Sequence, residues 1–394
     1  MTAPLVVWDP RMLGYDLGGD HPLHPLRWEL TWALAAELGV LDHYQVLKPE
    51  PADDEALGAI HTPAYISAVR DASEDGALGA LQHGLGTDDN PVFPGMHQNA
   101  ALIAGGSIAA ALAIANGAVQ RAVNFCGGLH HAMPDYASGF CVYNDVALAI
   151  KALLDAGVRR VAYVDVDAHH GDGVQAAFYD DPRVLTVSIH ETPLSLFPGT
   201  GFAGEVGRDA AQGTAVNIAL PSGTSDAQWL RAFHAVVPAM VRAFAPEVLV
   251  SQHGTDTHRE DPLANLNLTI DGQRTSYLAL RDIAESVTGG RWLALGGGGY
   301  SPVRVVPRAW THLLAIVSGH DLDAATVMPP RWRCEDGVAR PDIPLPAEMN
   351  DGTTGLVPYE KWDGAQGVTV DRAIEDTRGH LYPLHGLDPH DPRD

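Results

Sequence analysis

Short apolar runs alternate along the chain with longer segments of helix-forming composition. The apolar runs predict strands at 5–8, 121–125, 160–166, 184–190, 216–220, 248–252 and 292–295. The segments between them predict helices at 25–39, 98–116, 144–155, 173–179, 226–243 and 273–288. Several strands are continuously apolar, which is typical of a parallel sheet covered by helices on both faces. The pattern therefore predicts an α/β fold.

The same pattern predicts one large domain followed by an extension. No internal repeat and no Gly/Ser-rich linker divides the chain, so we assign residues 1–325 to a single domain. Beyond Met328 the prolines are scattered and the chain ends in the acidic segment PHDPRD. We expect residues 326–394 to be irregular, partly packed on the domain, with the last residues loose.

Composition limits the partners and the compartment. The formal net charge of −24 opposes binding to nucleic acid or anionic lipid, because phosphate contacts need clustered Lys and Arg. Cys126, Cys141 and Cys334 form a sparse, odd set without CxxC spacing, which favours a reducing compartment. We find no N-terminal targeting pattern and no apolar run of membrane-spanning length. We therefore expect a cytoplasmic protein.

The segment VAYVDVDAHHGDG concentrates ionisable residues at the end of an apolar strand. Residues two apart share one face of a strand, so Asp165, Asp167 and His169 line up on one side. Ligands of open α/β sheets bind at the carboxyl edge, and imidazole with carboxylate suits zinc and its neighbours. A buried ion-pair network is the alternative, but the density of these groups favours a metal site.

Two further strand ends contribute to the same edge. LVSQHGTDTH presents Asp256 as a third ligand beside Asp167 and His169, and three protein ligands leave a position open for water and substrate. In WLALGGGGY, four glycines allow a tight turn that brings Tyr300 close. This glycine run lacks the spacing of a nucleotide-binding loop.

The loop GGLHHAMPDYASGF carries adjacent His130 and His131. A tandem pair opposite a carboxylate-rich strand end offers two differently tuned acid/base groups. Asp165 and Asp172 are available to fix the tautomer of one histidine each.

Together, GGLHHAMPDYASGF, YVDVDAHHGDGV, FPGTG, QHGTDTHREDPLANLNLT and LGGGGY resemble the zinc-dependent histone deacetylase superfamily, in particular its bacterial acetoin utilization (AcuC-like) deacetylases. The resemblance covers residues 5–320. It implies a single-domain arginase/deacetylase fold with a mainly parallel sheet of about eight strands, flanked by helices on both faces, and a narrow tunnel that ends at the metal.

The resemblance also implies roles for individual residues. Asp167, His169 and Asp256 correspond to the zinc ligands, and Tyr300 to the residue that stabilises the oxyanion. His130 and His131 correspond to the catalytic pair, backed by Asp165 and Asp172 respectively. Implied substrate contacts are Phe140 and Phe197 as aromatic walls, Gly139 beside them, Leu263 at the rim, and the rim carboxylate Asp88, with Asp89 as the alternative. Arg27 corresponds to an arginine of the acetate channel, and a structural potassium ion is implied near Asp165, Asp167, His169, Ser188 and Ile189.

The implied activity is zinc-dependent hydrolysis of N-acetyl-lysine in a protein or peptide, with ferrous iron as an alternative ion. Acetyl-CoA synthetase or acetoin catabolism is the implied context, and the oligomeric state stays open. An arginase-like binuclear centre is disfavoured because Gly171 and His258 occupy positions where those enzymes carry carboxylates. Acetylpolyamine hydrolysis is the main alternative, although Leu263 is apolar where polyamine-selective relatives carry Glu. A non-catalytic acyl-lysine binding protein would be expected to lack a ligand, a histidine or Tyr300, and all are present.

Overall fold

A computed structural model describes residues 2–75, 80–332, 345–364 and 369–394. Within these residues, eight parallel strands form one sheet in the order β2-β1-β3-β8-β7-β4-β5-β6. The strands are β1 (Leu5–Val7), β2 (Gln45–Leu47), β3 (Arg121–Asn124), β4 (Val161–Asp165), β5 (Val184–Glu191), β6 (Ala215–Leu220), β7 (Val248–Gln252) and β8 (Trp292–Leu295). The predicted α/β fold with a parallel sheet of about eight strands is confirmed.

Helices flank this sheet. They are α1 (Leu26–Glu37), α2 (Asp54–Leu57), α3 (Pro63–Asp75), α4 (Met96–Ala115), α5 (Asp145–Asp155), α6 (Asp172–Phe178), α7 (Asp226–Phe244), α8 (Ile270–Thr288), α9 (Val306–Ser318) and α10 (Thr369–Leu381). Local sequence signals set several of their ends. A capping box of Ser225 and Gln228 begins α7, and Gly289 in the left-handed conformation ends α8.

The sheet order brings four strand ends together. Asp165 at the end of β4 pairs with Gln252 at the end of β7, and Leu295 of β8 pairs with both Gln252 and Asn124 of β3. The segments that follow these strands therefore meet at one edge of the sheet. Buried Asp145, the first residue of α5, shapes one of them by accepting hydrogen bonds from the backbone N–H groups of residues 128 and 129.

The C-terminal extension corrects one expectation. We predicted irregular structure for 326–394, but Thr369–Leu381 form α10, which buries Val370, Ile374 and Leu381. These residues recur at helical spacing, and the helix packs against α7 and β6. Cys334 lies outside the described residues, and the boundary at residue 325 stays a prediction.

Helix α4 corrects a second expectation. It is long and apolar enough to cross a membrane by length and composition, although we found no such run in the sequence. In the fold, 61% of its most apolar window is buried within the protein. Most of this apolar surface is therefore covered by protein.

Candidate metal centre and active site

Three predicted ligands converge at the carboxyl edge of the sheet. Asp167 and His169 follow β4, Asp256 follows β7, and all three are buried. His169 Nδ1 lies 3.1 Å from Asp167 Oδ1 and 3.1 Å from Asp256 Oδ2. In the described part of the chain, these residues form a group whose ligand atoms all lie within 4.8 Å of one another. This donor set suits zinc or a similar divalent cation.

Both carboxylates of this group accept hydrogen bonds from N–H donors of the protein. Asp167 Oδ2 accepts hydrogen bonds from Gln252 Nε2 at 2.8 Å and from the Gly298 backbone N at 2.9 Å. Asp256 Oδ1 accepts one from the Ala168 backbone N at 2.8 Å. The other oxygen of each carboxylate faces His169 Nδ1, and Asp167 Oδ1 also accepts a hydrogen bond from the His169 backbone N at 2.9 Å. The site thus presents two oxygens and one nitrogen to a common centre.

Space and charge at this centre also fit a cation. A Cβ atom at Gly298 would lie 2.0 Å from Asp256 Oδ2, and one at Gly254 would lie 1.9 Å from Asp167 Oδ2. Both glycines therefore keep backbone close to the two ligand carboxylates. Burial, reinforced by the neighbouring Asp167, raises the pKa of Asp256 to about 6. A bound divalent cation would offset the cost of holding two carboxylates together without water.

The two loop histidines lie beside this group, each backed by an aspartate as predicted from the sequence. His130 Nδ1 lies 2.7 Å from Asp165 Oδ2, and His131 Nδ1 lies 2.7 Å from Asp172 Oδ1. Their Nε2 atoms are 3.0 Å apart. Because a carboxylate only accepts hydrogen bonds, both Nδ1 atoms carry hydrogen and both Nε2 atoms point to the shared site.

Their surroundings separate the two histidines electrostatically. Burial disfavours the charged form of His130, but Asp165 and Asp167 outweigh burial and raise its pKa to about 9. Burial, followed by repulsion from His130, lowers the pKa of His131. These surroundings therefore favour the charged form of His130 and the neutral form of His131.

Tyr300 follows a glycine turn that is tightly enclosed. A Cβ atom at Gly296 would lie 2.1 Å from the Phe125 carbonyl oxygen. The Tyr300 backbone N donates to Asp261 Oδ2 at 2.8 Å, which fixes the end of the turn. Burial, followed by repulsion from Asp256, raises the pKa of the Tyr300 hydroxyl well above its usual value. Tyr300 is therefore a hydrogen-bond donor at neutral pH.

The two phenylalanines that we predicted as aromatic walls contact different residues of the site. The Phe140 ring is 5.6 Å from the Tyr300 ring, and the Phe197 ring is 5.0 Å from the His131 ring. Phe197 is 45% exposed, so one of these rings is open to solvent. Leu263 is partly buried and is held by a hydrogen bond from its backbone N to Asp261 Oδ1.

Of the two acids predicted for the rim, Asp89 contacts the loop next to these rings. Asp89 Oδ2 accepts a hydrogen bond from the Gly139 backbone N at 2.9 Å, one residue before Phe140. The geometry thus favours the alternative over Asp88, because Asp89 is the residue whose side chain turns back toward the loop. Gly139 has a φ of +53°, and a Cβ there would lie 2.4 Å from the His131 ring. Glycine is therefore required at this position.

Arg27 is buried on the far side of the glycine turn. Its Nη1 donates to the Gly297 carbonyl at 2.8 Å, and its guanidinium lies over the rings of Trp28 and Trp310. Its Nε and Nη2 have no hydrogen-bond partner among the described residues. Unpaired donors of a buried guanidinium suit a small anion such as acetate.

The predicted potassium residues are neighbours in the sheet. Asp165 of β4 pairs in register with Ser188 of β5, and Ile189 follows Ser188 in the same strand. Ser188 Oγ lies 2.8 Å from His190 Nδ1. These positions are close together, and the ion itself stays a prediction.

Sequence reasoning missed several supporting residues of this site. Gln252 binds Asp167, Tyr163 donates to Asp165 Oδ2 at 2.6 Å, and Asp261 holds the Tyr300 backbone. Gln252 ends β7 and Tyr163 lies two residues before Asp165, so the spacing of polar residues at strand ends is the signal that could have found them.

The parallel sheet carries a buried carboxylate–imidazole group and a carboxylate-backed histidine pair at its carboxyl edge. This arrangement is compatible with a hydrolase that uses a metal ion. A comparison with known proteins identifies the family. The family model for the histone deacetylase domain matches residues 21–317. The chain belongs to the histone deacetylase family, a family of deacetylase hydrolases.

Three relatives are similar over most of their length. The acetoin utilization protein AcuC of Bacillus subtilis (strain 168) is 41% identical over 335 residues, 84% of this chain and 86% of that protein. The protein of the same name from Staphylococcus aureus (strain MSSA476) is 40% identical over 310 residues, 78% of this chain and 79% of its own. The protein of this name from Staphylococcus xylosus is 38% identical over 329 residues, which are 83% of this chain and 85% of that protein.

Proposed function

We propose that this protein is a zinc-dependent deacetylase that hydrolyses N-acetyl-lysine in a protein or peptide and releases acetate. The observation that carries the proposal is the convergence of a metal-ligand group with a catalytic histidine pair. His169 Nδ1 lies 3.1 Å from two buried carboxylates, and the two Nε2 atoms of His130 and His131 lie 3.0 Å apart beside them. Membership of the deacetylase family supports this reading.

Asp167, His169 and Asp256 would hold zinc, or ferrous iron as the alternative ion. When bound, such an ion lowers the pKa of water and polarises a carbonyl group. A structural potassium ion near Asp165 and Ser188 is a further part of the proposal. The buried carboxylates and the close glycine backbone described above are compatible with a resident cation.

The histidine pair moves the proton. With Nδ1 of His131 committed to Asp172, Nε2 is free to take a proton from the attacking water and to deliver it to the leaving amine. His130, tied to Asp165, supplies positive charge beside it. The two Nε2 atoms lie 3.0 Å apart, so the charge of His130 acts directly on the proton affinity of His131.

Tyr300 stabilises the charge that develops on the substrate oxygen. Its hydroxyl stays protonated and donates a hydrogen bond that strengthens as the carbonyl becomes an oxyanion. Arg27 has free donors for the acetate product. These assignments account for amide hydrolysis with residues of this chain.

The surroundings favour an uncharged alkyl chain attached to a peptide. Phe140 and Phe197 provide aromatic contact for the methylenes of acetyl-lysine, and Leu263 adds apolar surface. Asp89 at the rim provides an acceptor for backbone N–H groups of a peptide, with Asp88 next to it.

The relatives are named for acetoin utilization, so acetyl-CoA synthetase or another protein of acetoin catabolism is the proposed target. Free buried Cys126 and Cys141 are compatible with the cytoplasm.

The test compares an acetyl-lysine peptide with acetylated spermidine and putrescine. We expect zinc-reconstituted protein to prefer the peptide, a chelator to abolish turnover, and zinc to restore it. His131→Ala should be inactive, whereas the matched control His390→Ala, at an exposed position, should be fully active. A tenfold preference for the polyamine would overturn the substrate class, and turnover insensitive to chelator would overturn the mechanism.

A further inference from the structure

Asp351 lies beyond the residues that the family model matches, yet its side chain reaches the loop that carries a metal ligand. Asp351 Oδ2 lies 2.7 Å from His258 Nε2 and accepts a hydrogen bond from the Ile270 backbone N at 3.0 Å. Its Oδ1 accepts one from Arg308 Nη1 at 2.9 Å. The side chains of His258 and Arg308 are almost completely buried. The C-terminal extension thus contributes a carboxylate to the interior of the domain.

His258 occupies the turn between two functional residues. Its backbone N donates to the Thr255 carbonyl, and its carbonyl accepts from the Asp261 backbone N. Asp256 precedes this turn as a metal ligand, and Asp261 follows it and binds the backbone N of Tyr300. A displacement of His258 would therefore reach both the ligand and the oxyanion tyrosine.

The hydrogen bonds of His258 define what its partner must be. The Glu260 backbone N donates to His258 Nδ1 at 3.1 Å, so Nδ1 carries no hydrogen. Nε2 must then carry it and donate to Asp351. Asp351 accepts on both oxygens, which a carboxylate can do and an amide cannot. Arg308 balances the buried negative charge, as such a group requires.

We propose that Asp351 is a positioning residue of the active site, and that it holds the loop from Asp256 to Asp261 in place through His258. Residues 345–353 are then part of the catalytic unit, although they lie outside the matched family domain. The consequence for turnover rests on the proposed deacetylase function. The consequence for metal binding does not, because it concerns the geometry of Asp256 alone.

The first test is Asp351→Asn in the full-length protein, measured against Asp371→Asn. Asp371 is a carboxylate of the same extension whose side chain is 4% exposed, against 7% for Asp351. It pairs with Arg231 of α7, a helix that carries none of the site residues. The asparagine side chain has one oxygen where aspartate has two, so at least one of the N–H groups that now bind Asp351 would face the asparagine NH₂ group and lose its acceptor. We expect zinc affinity, measured by competition with a chromophoric chelator, to fall about tenfold, the lower end for outer-shell partners of a metal site.

Kinetics separate positioning from loss of stability. Activity is measured well below the melting temperatures of the two variants and at saturating zinc. Relative to the unmodified protein, Asp351→Asn should lower kcat about tenfold and change KM for the acetyl-lysine peptide less than twofold. Asp371→Asn should change neither value. If Asp351→Asn binds zinc and turns over substrate as Asp371→Asn does, the proposal is wrong.

A second measurement uses the unmodified protein and covers the case in which Asp351→Asn does not fold. Coupling is reciprocal, so zinc binding should increase the hydrogen-exchange protection of residues 345–353. Protection of α10 should not change, since it packs on α7 and β6. Equal protection of both segments would overturn the proposal. Zinc affinity and exchange need no substrate, so inactivity on acetyl-lysine would refute the proposed function without touching this result.

Discussion

Replacing Gly298 by alanine adds one methyl group where the candidate metal centre has no room for it. Gly298 does not have a left-handed backbone conformation, so alanine introduces no backbone strain. Its N–H still donates to Asp167 Oδ2. The substitution therefore isolates the effect of volume next to the ligand oxygens.

The expected size of the effect follows from the distances. The new Cβ would lie 2.0 Å from Asp256 Oδ2, and real Cβ contacts are essentially never shorter than 3.0 Å. One of the two atoms must move by about 1 Å, whereas metal–ligand distances are held to within about 0.2 Å. We expect zinc affinity to fall at least about 100-fold, which corresponds to about 2.8 kcal/mol.

Zinc affinity is measured by chelator competition and turnover by release of acetate from an acetyl-lysine peptide. Gly355→Ala is the matched control, because a Cβ at this exposed glycine meets nothing within 4 Å. Circular dichroism confirms that both variants are folded. If the zinc affinity of Gly298→Ala is within threefold of that of the unmodified protein, Asp256 Oδ2 is not a ligand atom.

Three further predictions concern other parts of the site. Tyr300→Phe should lower kcat about 100- to 1000-fold at unchanged zinc content, because it removes one oxyanion donor; a loss below tenfold would contradict this role. Asp89→Ala should raise KM for the peptide about tenfold through loss of a charged acceptor, while Asp88→Ala changes it less than twofold; the opposite ranking would assign the substrate contact to Asp88. Gln252→Leu should weaken zinc binding about tenfold, since it removes a hydrogen bond to Asp167 Oδ2; calorimetric affinity within twofold would show that this bond does not orient the ligand.

The ligand set could be predicted from the sequence because ionisable residues are concentrated at the end of an apolar strand. Strand β4 ends at Asp165, so Asp167 and His169 lie in the segment after it, and the strand period that we used for the prediction does not itself place them. The position of Asp256 follows from its place just beyond another apolar strand. Their assembly within 4.8 Å depended on β4 and β7 being neighbours, which the sequence order of the strands does not reveal.

Other features carry little local signal. Strand β2 has two exposed residues and one half-buried residue, and it is too short for a period to be recognised. Helix α10 has a polar composition, and its few apolar residues become meaningful only when α7 and β6 cover them. Asp351 lies 93 residues from His258, so its contact depends entirely on the path of the extension across the domain.

The choice between Asp88 and Asp89 illustrates the limit most directly. Both residues are exposed acids in one turn, and their neighbours in the sequence are equally compatible with a rim position. What distinguishes them is the direction of one side chain, which the turn fixes through hydrogen bonds such as that from the Asn90 backbone N to Thr87 Oγ1. Such turn geometry is not encoded in a residue pattern.

N–H groups of the protein donate hydrogen bonds to both ligand carboxylates, which explains how the centre can fold before a metal binds. Backbone and amide N–H groups satisfy Asp167 Oδ2 and Asp256 Oδ1, which reduces the cost of burying these groups. Of the remaining oxygens, Asp167 Oδ1 accepts from the His169 backbone N, and the single imidazole hydrogen of His169 is shared between Asp167 Oδ1 and Asp256 Oδ2. The protein therefore fixes the direction of each ligand with donors of its own and leaves a deficit of positive charge at the point where the ligands meet.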